Sequence, residues 1–180
     1  PESIIEKYYK GTKAHHYVLT HGRVVAKKAL EVAERVRELD PDVAVCAGTT
    51  YRLHLLHRGG KAEQIGCYGD EPYIKHGVLG REMLEKEGLP KHALVCERHI
   101  GVGLTKEEIE ERGLPLPKRD MLPVTLEEEI VAYADKFFSK IEYRTEEKPI
   151  EVIKEGLRKD EKYRVKRFEE WLIKFKEPNR

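Results

Sequence analysis

Cysteine is scarce in this 180-residue chain: the three present, Cys46, Cys67 and Cys96, are odd in number and lack framework spacing. A disulfide scaffold is therefore excluded, and with no basic n-region or apolar stretch in Pro1–Lys10 the expectation is a reduced, cytoplasmic protein. Tryptophan occurs once and methionine twice, and no apolar run is long enough to span a bilayer, so no membrane association is expected. Neither sign of charge is in excess, since 34 Lys+Arg stand against 33 Asp+Glu for a net charge of +1. Without a global field, any phosphate binding has to come from a local cluster of cations. Internal repeats, low-complexity tracts and βαβ alternation are also missing.

What is present is charge of both signs and histidine. Charged residues make up 37% and hydrophobic ones 39%, which describes a densely ionic globular protein with enough apolar content for a core. The abundance of Lys, Arg and Glu resembles thermophile composition and explains the ionic surface without any partner. The length fits one domain, with a core over residues 20–140 and a basic amphipathic tail over 145–180. The eight histidines outnumber Cys, Trp and Met together.

Helical periodicity dominates. From Thr20 to Leu39, Val24, Val25, Ala29, Val32, Ala33 and Val36 recur at intervals of three and four. Asp40-Pro41 supplies an N-cap and a preset first position for a second helix. Its continuation, Ala47–Gly60, mixes glycine with β-formers and is out of character for a core helix. Ile74–Lys86 regains helical spacing and is stopped by Gly88 and Pro90, after which Pro90–Ile100 forms a short helix. Thr105 with Glu108, and Thr125 with Glu128, match the capping box, and the proline-rich Gly113–Pro123 between them reads as an extended connection. Phe168, Trp171, Leu172 and Phe175 then mark an amphipathic C-terminal helix that packs on the bundle or on a second subunit. The reading is all-α, with about seven helices.

His21, His57, His76 and His99 each lie near a helix end or on a helix, as does Asp135, and helical bundles build metal sites by projecting such side chains inward from several helices. Here the sequence resembles the HD-domain metal-dependent phosphohydrolases. His21 opens an amphipathic helix, Leu55-Leu56-His57 is followed by Gly60-Lys61, and Ala134-Asp135-Lys136 matches the closing motif. His76 in His-Gly-Val and His99 in Arg-His-Ile-Gly are similar to the two extra histidines of the dinuclear branch. The Gly113–Pro117 loop with Leu122-Pro123 resembles archaeal members of the family.

The resemblance implies an HD-domain helical bundle. It also implies one or two divalent transition metals (iron, manganese, nickel or zinc) held by His21, His57, His76, His99 and Asp135 that lower the pKa of a bound water for attack on a phosphate ester. Lys61, Arg98 and Lys136, each beside a proposed ligand, would offset substrate charge as the catalytic cations. The implied partner is a small, nucleotide-like phosphorylated substrate, with a homodimer allowed and nucleic acid not expected. The pattern departs at its diagnostic dipeptide: His57 is followed by Arg58, and a guanidinium adds like charge where a carboxylate would bridge cations. A degenerate protein, a compensating carboxylate at Glu63 or Asp70, and a local change in the reading of Ala47–Gly60 all account for this. The alternative is thus a non-catalytic module that binds a nucleotide or a protein partner. A zinc site from Cys46, His54, His57 and Cys67 is disfavoured by its spacing, and a basic nucleic-acid-binding helical protein is a third class, distinguished by salt-sensitive binding.

Overall fold

A computed structural model describes residues 2–37, 61–62, 67–138, 145–158 and 162–178. The all-α expectation holds. The described residues form eight α-helices: α1 (Glu2–Tyr9), α2 (Lys13–Arg37), α3 (His76–Lys86), α4 (Pro90–Arg98), α5 (Lys106–Glu111), α6 (Leu126–Lys136), α7 (Ile150–Arg158) and α8 (Lys162–Lys174). A 3₁₀ turn at Tyr73–Lys75 leads into α3. Extended backbone is limited to a two-residue antiparallel pair, β1 (Lys61–Ala62) with β2 (Cys67–Tyr68), and isolated bridges such as Leu104 to Met121. No described helix is long and apolar enough to cross a membrane. The helix expected after Asp40-Pro41 and the atypical Ala47–Gly60 segment lie outside the described residues.

Helix α2 is the spine. It begins seven residues before the periodicity from Thr20 suggests, because Ala14, Tyr17 and Val18 extend the buried stripe toward the N-terminus. Its first half packs with Ile5 and Tyr9 of α1 and with Leu84, Ala93 and Cys96. Its second half contributes Val25, Ala29, Val32, Ala33 and Val36 to the main core, together with Ile130, Tyr133, Ala134 and Phe137 of α6. The C-terminal segment is two helices rather than one, and it closes this core. Phe168, Trp171 and Phe175 are buried there around Tyr133, whose ring centroid lies 5.0 Å from those of Phe137 and Phe175. These are the edge-to-face distances aromatic rings prefer.

The local stop and start signals behave as their chemistry requires. Thr125 caps α6 through a complete capping box, its hydroxyl accepting from Glu128 N while the Glu128 carboxylate accepts from Thr125 N. Thr105 caps α5 in the same way, but its Glu108 carboxylate turns instead to Arg112, Arg164 and Tyr163. Gly88 ends α3 at φ +72°, a left-handed conformation that costs glycine nothing. Gly77 has a different task. A Cβ at this position would stand 2.9 Å from the Cys96 carbonyl oxygen and 3.0 Å from that of Glu97, so only glycine lets α3 approach α4 this closely.

Candidate functional site

Four of the five expected ligands fall among the described residues, and the fold brings them together as two pairs. His21 on α2 and Asp135 on α6 meet across the helix interface, with His21 Nε2 3.2 Å from Asp135 Oδ1. Both are nearly covered, at 8% and 4% exposed. An ionised carboxylate only accepts, so this contact is a hydrogen bond when Nε2 carries the proton. Lys136 Nζ lies 3.1 Å from the other carboxylate oxygen, Asp135 Oδ2. It also reaches the backbone carbonyl of His99 at 3.5 Å, tying the end of α6 to the end of α4.

The second pair sits where α3 begins and α4 ends. His76 Nδ1 donates to the Tyr73 carbonyl at 2.8 Å, and His99 Nδ1 donates to the Cys96 carbonyl at 2.7 Å. Both Nε2 atoms therefore face inward, 3.1 Å apart. A hydrogen bond between them needs a proton on one of the two. The rings cross at 62°, and Tyr73 covers the outer side of His76 with its centroid 4.7 Å away. Gly77, next in sequence to His76, lies at the close approach of α3 and α4.

The metal centre expected from these residues is corrected here. Among the described residues no three or more of His, Cys, Asp or Glu stand together so as to hold a metal ion. The imidazoles and the carboxylate turn toward one another and toward Lys136 instead, so the iron, manganese, nickel or zinc expectation is withdrawn. His57, Arg58 and Glu63 lie outside the described residues, as do Cys46 and His54. Asp70 is exposed.

The three expected catalytic cations are placed differently. Lys61 has its backbone on β1. Arg98 is committed to Glu128, its Nη1 standing 2.8 and 2.9 Å from the two carboxylate oxygens. Lys136 braces Asp135 and His99, as above. The Glu128 partner of Arg98 was legible only as a capping residue. The same carboxylate also accepts from Val124 N at 2.7 Å, so one buried acid finishes a helix and fixes a guanidinium. Of the remaining histidines, His15 contacts Glu6 at 3.1 Å and His16 is exposed.

Buried charges recur beyond these pairs, each enclosed by opposite charge. Glu97 is 1% exposed between Arg81 at 2.6 Å and Arg119 at 2.5 Å. Lys28 is 2% exposed between Glu177 at 2.5 Å and Glu147 at 3.0 Å, with its ammonium 4.1 Å from the Phe137 ring centroid. Glu177 also accepts from Arg35 at 2.6 Å and from the Tyr133 hydroxyl at 2.9 Å. Burial and the Glu177 charge push the Tyr133 phenol far above its ordinary range. Burial, then its hydrogen bond to Glu108, pushes the Tyr163 phenol up to about 12. A shallow groove of about 490 Å³ runs beside α8, lined by Glu129, Tyr163, Lys166, Arg167, Trp171 and Lys174 among others.

Comparison with known proteins adds what geometry does not carry. The chain is 43% identical over 123 residues to an uncharacterized protein of Methanocaldococcus jannaschii, a match covering 66% of this chain and 64% of that one. It is 33% identical over 134 residues to the tRNA (cytidine(56)-2'-O)-methyltransferase of Picrophilus torridus, covering 72% of this chain and 34% of the enzyme. The methyltransferase of the same name from Thermoplasma volcanium matches at 33% over 128 residues, 70% of this chain and 33% of that protein. No protein-family model matches the chain, and no solved structure matches it significantly. The chain thus spans about a third of the two methyltransferases. Both named relatives modify tRNA, which overturns the HD-domain phosphohydrolase reading, its small nucleotide-like substrate, and the alternative of a nucleotide- or protein-binding module. The dismissal of nucleic acid as a partner falls with them.

Proposed function

We propose that this chain serves tRNA methylation as a helical, RNA-engaging unit. The observation that supports the reading is the 33% identity, over some seven-tenths of the chain, with two tRNA 2'-O-methyltransferases of which it spans a third. The paired arrangement of the buried polar groups agrees with it. His21–Asp135 and His76–His99 are covered contacts between helices, better suited to holding α2, α3, α4 and α6 in register than to meeting a folded RNA. Contact with tRNA falls instead to the exposed surface, where lysine and arginine are plentiful.

The test is equilibrium binding of the purified chain to a folded, labelled tRNA transcript, followed by fluorescence anisotropy across a salt series. Binding that weakens steeply with salt is expected, because each neutralised phosphate releases condensed counterions. No binding at about 50 mM salt, where such contacts are strongest, overturns the reading.

A further inference from the structure

Resting on the tRNA reading above, we propose that the outer face of α2, carrying Lys13, His16, Arg23 and Lys27, is the surface that contacts RNA phosphates. From Lys13 to Leu30, α2 contains no aspartate or glutamate. In a chain with almost equal numbers of acids and bases, an acid-free run of this length is a local departure from balance. At 100° per residue, Lys13, His16, Arg23 and Lys27 fall within an arc of about 80°, and at 1.5 Å per residue they extend over about 21 Å. All four are exposed. The opposite face is the buried stripe of Ala14, Tyr17, Val18, Val25, Ala26 and Ala29. Lys13, Arg23 and Lys27 are therefore presented outward, with His16 between them, by a helix whose orientation the core fixes. Glu31 and the exposed Glu34 end the stripe on the same side.

Charge complementarity selects the occupant. A straight row of cations on a rigid helix matches a strand of phosphates, which repeats one negative charge at regular spacing. The groove beside α8 is less suited to a polyanion. Its Lys166, Arg167 and Lys174 alternate with Glu129 and Glu170, so acids stand within the groove itself, whereas none lies on α2 between Lys13 and Leu30. His21 lies on the same helix about 120° around from the middle of the stripe, on the buried side, so the stripe is a surface separate from the His21–Asp135–Lys136 cluster.

The experiment compares three proteins for binding to the same tRNA transcript over a salt series. The first is the unaltered chain, the second carries Lys13→Gln, Arg23→Gln and Lys27→Gln, and the third carries Lys86→Gln, Lys118→Gln and Lys166→Gln as a charge-matched control. Each phosphate contact contributes about 0.7–0.9 to the slope of log K against log salt. The α2 variant should lose about 2–3 from that slope and bind on the order of 10²-fold more weakly at 0.1 M salt, while the control stays within a few-fold of the unaltered chain. All six side chains are exposed, and circular dichroism melting verifies that both variants remain folded. An α2 variant that matches the unaltered chain, or a control that loses as much, overturns the surface while leaving tRNA binding intact. If the unaltered chain binds no tRNA at low salt, the functional reading fails and this surface fails with it.

Discussion

Glu177 is the residue whose loss should cost most for its size. It holds three groups at once: the Lys28 ammonium, the Arg35 guanidinium and the Tyr133 hydroxyl. Its side chain is 3% exposed and that of Lys28 is 1% exposed, so Glu177→Ala strands a desolvated cation. Breaking such a pair from one side costs about 3–5 kcal/mol. Lys28 keeps Glu147, whose side chain is 27% exposed, and the face of Phe137, which places the loss at the low end of that range. The orphaned Tyr133 hydroxyl adds about 1 kcal/mol, while Arg35, 24% exposed, is rehydrated at little cost. The expected total is about 3–4 kcal/mol, and at about 2–4 °C per kcal/mol for a chain of this length the melting temperature falls by roughly 6–16 °C. Removal from the other side should differ. Lys28→Met takes the buried charge away with its desolvation cost and leaves Glu177 satisfied by Arg35 and Tyr133, so about 1 kcal/mol or less is expected. Urea titrations of both variants give the comparison. A Glu177→Ala loss under about 1 kcal/mol, or a Lys28→Met loss equal to it, refutes the reasoning that the uncompensated ammonium, and not lost packing, sets the cost.

Further outcomes follow from the same structure. Lys7 and Tyr8 donate to Glu87 at 2.6 and 2.5 Å, and the Lys7 hydrogen bond, then that of Tyr8, holds the Glu87 carboxyl below its ordinary range. A depressed carboxyl pKa contributes stability above the unfolded value of 4.5 that disappears as pH falls through the folded one. Amide exchange in α1 should therefore accelerate below about pH 4.5 relative to α2, and Glu87→Gln should abolish that difference in pH dependence. At the alkaline end the sign reverses: the Tyr163 phenol, raised to about 12, contributes stability that is lost as pH rises from its ordinary 10 toward that value. Tyr163→Phe should flatten this part of a stability–pH curve. Thr125→Ala removes a full capping box and should cost about 1–2 kcal/mol by urea titration, against about 1 kcal/mol for the simpler cap at Thr105. Gly77→Ala should cost about 1–3 kcal/mol, because the new methyl meets backbone carbonyls that cannot rotate away. It should also shift the His76 and His99 imidazole resonances together in an NMR spectrum.

Much of the helical content was legible because it depends on local chemistry. Gly88, Pro90, Thr105 and Thr125 act within a turn or two of themselves, and their effects can be read from neighbours in sequence. The start of α2 was placed late because Ala14, Tyr17 and Val18 alternate with His15 and His16, which the periodicity from Thr20 did not include. The division of the C-terminal segment into α7 and α8 was likewise missed. The positions of His21, His76, His99 and Asp135 near or on helices were legible too. Their mutual geometry was not, since a contact such as His21–Asp135 joins residues 114 apart and is decided by how α2 crosses α6. The burial of Lys28, Glu97 and Arg164 had no sequence signal, because each is tolerated only through partners brought by tertiary packing. Function was hardest to read. The motifs suggested phosphate chemistry, whereas two relatives at 33% identity are named for tRNA methylation.

The close approach of α3 and α4 at Gly77 has an evolutionary consequence. A side chain at 77 would meet the Cys96 and Glu97 carbonyls whatever stands at 76 and 99, so the demand for glycine comes from the helix contact and not from the histidines 3.1 Å apart beside it. A homologous chain with a larger residue at 77 should hold α3 and α4 further apart and so separate its two imidazoles. Loss of either histidine, by contrast, leaves the need for glycine in place, so an alignment of distant relatives should show glycine at 77 kept more widely than the pair.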